Sequence, residues 1–313
     1  MGNIKINIED ISIYLPKKTV SNSQLDKIFN QKENTFFEKT GIKKRKISSV
    51  NETPELMATK AALKLLKKKK TKTSITHIIS ASNTPSIMFP SIAHYVLSGI
   101  YKYLKTNPFC IPLNCGCSGF VDALILSNKI ISNNKKSKIL IVTSDAYSKH
   151  ISSDDKSILP VFSDGASATI ISHNPKGWSV EKEFSETIPF TQENLIFKEI
   201  NGKDIITMRG PELINFAINS VLPKISQMIK DEKKIILFSH QASKIVLNLI
   251  VKSAFKINKN VEIPLFYRNV GNLVSTSIPV LINKNIKLFR RSKKILIAGF
   301  GVGLTHSYIK FKK

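Results

Sequence analysis

Apolar residues come in short blocks separated by polar turns. Residues 4 to 14 alternate apolar and polar positions and read as a first strand ending at Pro16; the alternation already begins at Met1. Asn22 to Phe29 reads as a helix capped by Ser21 or Asn22. The stretch Phe36 to Arg45 reads as a turn pivoting on Gly41. Thr53 to Lys70 is amphipathic, with Ala58, Ala62, Leu65 and Leu66 on one side. His77 to Ala81 is a short apolar strand, and Pro90 to Leu104 a helix opened by proline. The apolar segment Phe109 to Leu113 runs into a helical pattern over Phe120 to Ile131. Lys138 to Thr143 is a further apolar strand, and an Asp164-Gly165 turn leads into another. In the second half Ile235 to Phe238 is a buried strand followed by a helix over Lys244 to Phe255. Strands alternating with helices predict an α/β architecture.

The pattern repeats. Lys138-Ile139-Leu140-Ile141 returns as Lys294-Ile295-Leu296-Ile297, an offset of 294 − 138 = 156. Ile79-Ser80 returns as Phe238-Ser239, offset 159, and Asn114 returns as Asn272, offset 158. Three matches near half the chain length predict an internal duplication, with halves 1–172 and 173–313. A duplicated unit brings equivalent strand and helix ends together at a pseudo-twofold axis. One site can be made there from both halves.

Composition changes this picture little. The chain has 313 residues and 42% hydrophobic content, enough for two cores. No apolar run reaches the ~18 residues of a membrane helix, so no membrane insertion is expected. Cys110, Cys115 and Cys117 are odd in number and lack a His or Cys partner cluster, which argues against disulfides and zinc and for a cytoplasmic setting. The net charge of +26 invites nucleic acid, but only five of the 48 basic residues are Arg and they are scattered. The densest run, Lys67 to Lys70, reads as a solvated helix end. A basic surface of this kind suits an acidic protein partner and no nucleic acid is expected.

Candidate chemistry concentrates at strand ends. Cys117, flanked by Gly116 and Gly119, stands between an apolar strand and a helix N-terminus. Unpaired N–H groups and a partial positive charge there favour a thiolate nucleophile. His240 follows a buried strand, Asn272 heads the repeat of the cysteine helix, and Gly299-Phe300-Gly301-Val302-Gly303 can aim N–H groups at an oxyanion.

These motifs, with Thr40-Gly41-Ile42, Arg45, Phe89-Pro90-Ser91, Cys117-Ser118-Gly119-Phe120, Phe162, Asp164-Gly165-Ala166, His240-Gln241-Ala242, Gly271-Asn272, Gly301 and Gly303, resemble the 3-oxoacyl-(acyl carrier protein) synthase III family of the thiolase superfamily across nearly the whole chain. The resemblance implies a thiolase-like α/β fold of two duplicated halves, layered αβαβα, around a buried nucleophile helix. It implies that Cys117 takes an acyl group and that His240 and Asn272 hydrogen-bond the thioester carbonyl of a malonyl extender. Backbone N–H groups of Cys117 and Val302 would form the oxyanion hole. Phe89 resembles a residue that walls the acyl pocket of the other copy in a homodimer. The implied reaction is decarboxylative Claisen condensation on an acyl carrier protein, in fatty acid or related secondary-metabolite biosynthesis, without organic cofactor or metal.

Departures bear on substrate. Thr35 and Lys156 stand where relatives taking acyl-CoA place a Trp and an Arg around adenine, and Lys39 replaces another Arg, so weak use of CoA is expected. Lys244, Lys252 and Lys256, on the helix after His240, are candidate docking residues for an acidic carrier protein. Val302 replaces a glycine and adds bulk near the acyl site; Cys115 replaces an Ala and reads as packing. The alternatives are a non-decarboxylating acyltransferase using the same acyl-cysteine, or a non-catalytic partner subunit of a related synthase. A hydroxymethylglutaryl-CoA synthase is disfavoured because Ser82-Asn83-Thr84 offers no acid.

Overall fold

A computed structural model describes residues 4–69, 71–200 and 202–313. The expected alternation at Met1 to Asn3 and the last lysine of the run, Lys70, lie outside the described residues. Ten strands make one mixed sheet: β1 (Lys5–Tyr14), β2 (His77–Ala81), β3 (Phe109–Leu113), β4 (Lys138–Asp145), β5 (Gly165–His173), β6 (Trp178–Thr187), β7 (Ile235–Ser239), β8 (Val261–Glu262), β9 (Lys294–Gly301) and β10 (Thr305–Lys312). Outward from the centre the first half runs β1-β5-β4-β2-β3 and the second β6-β10-β9-β7-β8. Adding five to each strand number of the first half gives the second. The senses repeat too: β4-β2-β3 and β9-β7-β8 are parallel, while β5 and β10 run antiparallel to their neighbours. The halves join where β1 pairs with β6, after the turn Asn174 to Gly177.

Alternate residues of each strand bury into different layers, as the two-residue period of a strand requires. Ile78, Leu140 and Val142 pack under the outer helices Pro54–Leu66 and Ile92–Ile100. Their neighbours Ile79, Ile139 and Ile141 face the central helices Gly119–Asn133 and Ser277–Lys284, together with Phe238, Ile295 and Ile297 of the second half. Leu237, Leu296 and Tyr308 turn the other way, onto the helices Leu222–Ile229 and Lys244–Ile257. Helix, sheet, helix, sheet and helix therefore stack around a central pair of helices whose starts, Gly119 and Ser277, are 277 − 119 = 158 residues apart.

Local capping signals hold at two helix starts. Ser21 closes a capping box with Gln24, and Thr53 caps a helix that carries Pro54 in its first turn. That helix stops at Leu66, short of the lysine run. The expected helix to Leu104 ends at Ile100. Tyr101–Tyr103 tighten into a 3₁₀ turn because Thr73 takes the Tyr103 carbonyl and Lys105 donates to Thr73. Thr35–Thr40, expected within a turn, is a short helix ended by Gly41 at φ 72°, with Phe36 buried beneath it.

Candidate active site

Cys117 sits on the link between β3 and the central helix Gly119–Asn133, two residues before the first helical turn. His240 follows β7, and its N–H donates to the Ala298 carbonyl on β9 at 2.8 Å. Asn272 is held in its loop by main-chain bonds to Val161 and Ser163. All three are buried, and all three line one cavity of about 660 Å³ with mostly apolar walls. The residues singled out at strand and helix ends of both halves thus share one chamber.

Each side chain is oriented. Asn272 Oδ1 accepts from the Val274 N–H at 2.9 Å and from Ser277 Oγ at 3.4 Å. Its amide nitrogen makes no hydrogen bond among the described residues and stays free to donate. The Phe300 ring edge meets the His240 ring at 5.4 Å and 86°. Burial pushes the His240 imidazole down to about 3, so it is neutral at physiological pH. Its Nδ1 is sealed from solvent without a partner. The neutral ring can present an Nε2–H donor rather than a cation.

Gly301 lets β9 pass directly behind the nucleophile. A Cβ there would lie 2.7 Å from Cys117 Cβ and 3.0 Å from Sγ. Gly301→Ala is therefore expected to displace the thiol and slow acylation at least tenfold, read as the rate of adduct formation by intact-mass spectrometry. Among the described residues, the Val302 N–H makes no main-chain hydrogen bond and the Cys117 N–H reaches only its own thiol, so both can turn to an oxyanion.

The thiol's charge state corrects the sequence expectation. Burial pushes the Cys117 thiol well above the usual range, and the Asp145 carboxylate pushes it further. The Cys117 N–H at the helix start pulls the other way and is outweighed, with no cation beside the sulfur to replace lost solvation. The resting group is a thiol. The rate of Cys117 acylation is accordingly expected to climb with pH from about 6 to about 9 without levelling; a plateau below about 7 would show a preformed thiolate.

Asp145, at the end of β4, escaped the sequence reading. Its carboxyl is buried and pushed up to about 6 by desolvation. It accepts from the Ser275 hydroxyl and from the Asn83 N–H at 2.9 Å, tying the Asn272 loop to the loop after β2. The repeat could have exposed it: 145 + 156 = 301, so Asp145 is the counterpart of Gly301. The cavity mouth was also missed. It is lined by the helix Gly210–Phe216, with Arg209 ahead of it, and by Leu195 and Met208 of a separate hairpin, Leu195–Ile200 with Lys203–Met208. Lys39, weighed only for CoA, lines the mouth too.

Other expected residues stand apart from this chamber. Phe89 is 85% exposed beside Met88 at 86%, on a surface loop. Val302 lines a second cavity, of about 850 Å³, rather than the first. Of the docking lysines, all exposed, Lys244 flanks the mouth formed by Ser243 and Ile245, while Lys252 and Lys256 lie about 12 and 18 Å further along the helix. Thr35 Oγ1 donates back to the Lys32 carbonyl, and Lys156 Nζ lies 5.3 Å from the Phe29 ring. Cys115 is half buried, and burial, followed by the nearby Asp122 carboxylate, pushes its thiol up to about 11. No group of three or more His, Cys, Asp or Glu among the described residues is placed to hold a metal, and no helix is long and apolar enough to cross a membrane.

Two duplicated β-α layers with a cysteine at the start of a central helix define a thiolase-like enzyme. The comparisons name the branch. The 3-oxoacyl-(acyl carrier protein) synthase III model matches residues 112–186, and the model of that family's C-terminal region matches residues 229–312. The beta-ketoacyl-(acyl carrier protein) synthase III of Streptococcus mutans is 31% identical, covering 95% of this chain and 96% of its own. The solved 3-oxoacyl-(acyl carrier protein) synthase III of Aquifex aeolicus superposes with a TM-score of 0.84 at 25% identity, over 99% of this chain and all of that one. A 3-oxoacyl-(acyl carrier protein) synthase of Burkholderia xenovorans shares the fold, with a TM-score of 0.88 over 99% of this chain and 94% of its own, at 23% identity. The chain belongs to the 3-oxoacyl-(acyl carrier protein) synthase III family.

Proposed function

We propose that this acyltransferase condenses an acyl group with a malonyl extender held on acyl carrier protein, with Cys117, His240 and Asn272 as its catalytic residues. The observation that carries the reading is the shared cavity: one buried thiol, one neutral imidazole and one amide with its oxygen already engaged. In the first half-reaction the Cys117 sulfur attacks the donor thioester. The proton of Cys117 leaves with the departing thiol, and the acyl group stays on sulfur. In the second, the malonyl thioester loses its carboxylate as carbon dioxide. The electron pair moves onto the thioester oxygen, where His240 Nε2–H and the Asn272 amide donate. The enolate carbon then attacks the acyl-cysteine carbonyl. Its oxyanion is received by the Cys117 and Val302 N–H groups. Collapse expels Cys117, which takes up one proton, and the 3-oxoacyl thioester departs. In this reading no organic cofactor or metal takes part.

A second copy of the chain fits the same reading. Phe109 on the edge strand β3 is 66% exposed, and a sheet edge of this kind is a pairing surface. Phe89 would then reach the partner's second cavity, making a homodimer. Lys244 and Arg209 at the mouth support an acidic carrier as the donor of one or both thioesters. Weak use of CoA follows from Thr35 and Lys156, which present no planar pair for an adenine.

Release of labelled carbon dioxide from malonyl carrier protein tests the reading. Release that requires prior acylation of Cys117 is expected. Acyl transfer without release would instead support the non-decarboxylating transferase, and an unreactive Cys117 the non-catalytic subunit.

A further inference from the structure

The duplication gives the nucleophile a counterpart. With the helix offset of 158, Cys117 maps onto Ser275 (117 + 158 = 275), as Asp145 maps onto Gly301. The contact between the two positions repeats as well. Gly301 passes against Cys117, and the Asp145 carboxylate accepts from the Ser275 hydroxyl. Where one half leaves room for a thiol, the other makes a tie.

The tie sits beside a strained turn. Ser275 follows Val274, a β-branched residue at φ 52°, in the left-handed region that such side chains avoid. The Val274 N–H is also the donor that fixes Asn272 Oδ1, at 2.9 Å. The aim of the Asn272 amide therefore depends on a turn that persists only while both of its ends are anchored. Main-chain bonds to Val161 and Ser163 hold the Asn272 end, and Asp145 holds Ser275 at the other. Asp145 is fixed in turn from the first half. Its second oxygen accepts from the Asn83 N–H at 2.9 Å, with the Ser82 and Thr84 hydroxyls at 3.4 Å. Asn83 lies against Gly116, where an added Cβ would collide with its Oδ1. One carboxylate thus joins the backing of Cys117 to the loop of Asn272. Its partners are hydroxyls and N–H groups, with no lysine or arginine among them. The titratable groups facing it are the Cys117 thiol and the Tyr147 hydroxyl, both pushed up first by burial and further by its charge.

We infer that Asp145 is a positioning residue for the condensation step, holding the Asn272 amide on the extender's carbonyl through Ser275 at the expense of a less reactive thiol. Resting on the condensation proposed above, this assigns the work of a buried charge that the reaction itself does not use. Removing the carboxylate then acts in opposite directions on the two functions of the site. It frees the Asn272 loop, and it takes a like charge away from the sulfur.

The test uses the full chain with Ser275→Ala, which cuts the tie and keeps the charge, and Asp145→Asn, which removes both. Decay of the pre-formed acyl-Cys117 adduct against malonyl carrier protein is expected to slow at least tenfold in each variant, the scale of a misplaced donor. Alkylation of free Cys117 by iodoacetamide at pH 7 is expected to be about threefold faster in Asp145→Asn and unchanged in Ser275→Ala. A drop of about one unit in the thiol's pKa has that effect once the weaker nucleophilicity of a less basic thiolate is counted. In an Asn272→Ala background, Ser275→Ala should cost condensation less than twofold more, because the tie acts through Asn272. Should Asp145→Asn not fold, Ser275→Ala alone and in that background decides. Condensation within threefold of wild type in Ser275→Ala, or a full further loss in the Asn272→Ala background, would overturn the inference and leave the condensing enzyme standing. If the wild-type adduct does not decay against malonyl carrier protein at all, the condensation falls, and this inference with it.

Discussion

Cys117→Ser is expected to abolish the covalent acyl adduct and to cut product formation by a factor of about a million, the scale seen when a covalent nucleophile is removed. The size follows from the geometry. Cys117 shares its cavity with His240 and Asn272, and the glycine strand passes so close behind it at Gly301 that a Cβ there would crowd Sγ. A serine hydroxyl would keep the volume but, without a base beside it, would be a far weaker nucleophile than sulfur. Fold stability should change little, since Oγ and Sγ occupy nearly the same space. The check is intact mass after incubation with an acyl donor, alongside a thermal melt. A persistent adduct, or turnover within tenfold of wild type, would remove Cys117 from the chemistry.

His240→Ala and Asn272→Ala are expected to split the two half-reactions. Each should lower condensation by about 10²–10³, the worth of one positioned donor at a developing oxyanion. Each should leave Cys117 acylation within about tenfold, because the N–H groups of Cys117 and Val302 serve that step. The double variant should lose less than the product of the single losses, since both donors address one oxygen. Separate rates for adduct formation and for decay of the pre-formed adduct against malonyl carrier protein give the split. Equal losses in both steps would mean that these residues shape the cavity instead of stabilising the enolate.

Much of this was legible in the chain. The duplication could be read because β4 and β9 are buried on both faces, so their apolar runs are nearly continuous and repeat visibly. Cys117, His240 and Asn272 could be found because strand and helix ends are where parallel sheets place chemistry. What stayed hidden depends on tertiary surroundings. The short helix Thr35–Thr40 has too few residues to show a period, and Phe36 is buried by its neighbours rather than by pattern. The paired strands Leu195–Ile200 and Lys203–Met208 alternate no better than the loops around them, yet they wall both cavities. The thiol's charge state is set by enclosure and by Asp145, 28 residues away along the chain (145 − 117), which no local motif encodes. Phe89 and Val302 are placed by the structure at an exposed loop and at a second cavity, so their roles turn on a second copy and on the acyl chain.

The most direct test is a single turnover of protein already acylated on Cys117, mixed with malonyl carrier protein and read for both partners by mass. The account predicts that Cys117 returns to its free mass while the carrier gains the acyl group and loses carbon dioxide in the same step. An acyl group that stays on Cys117, or a carrier that gains it with its malonyl carboxylate intact, would contradict it.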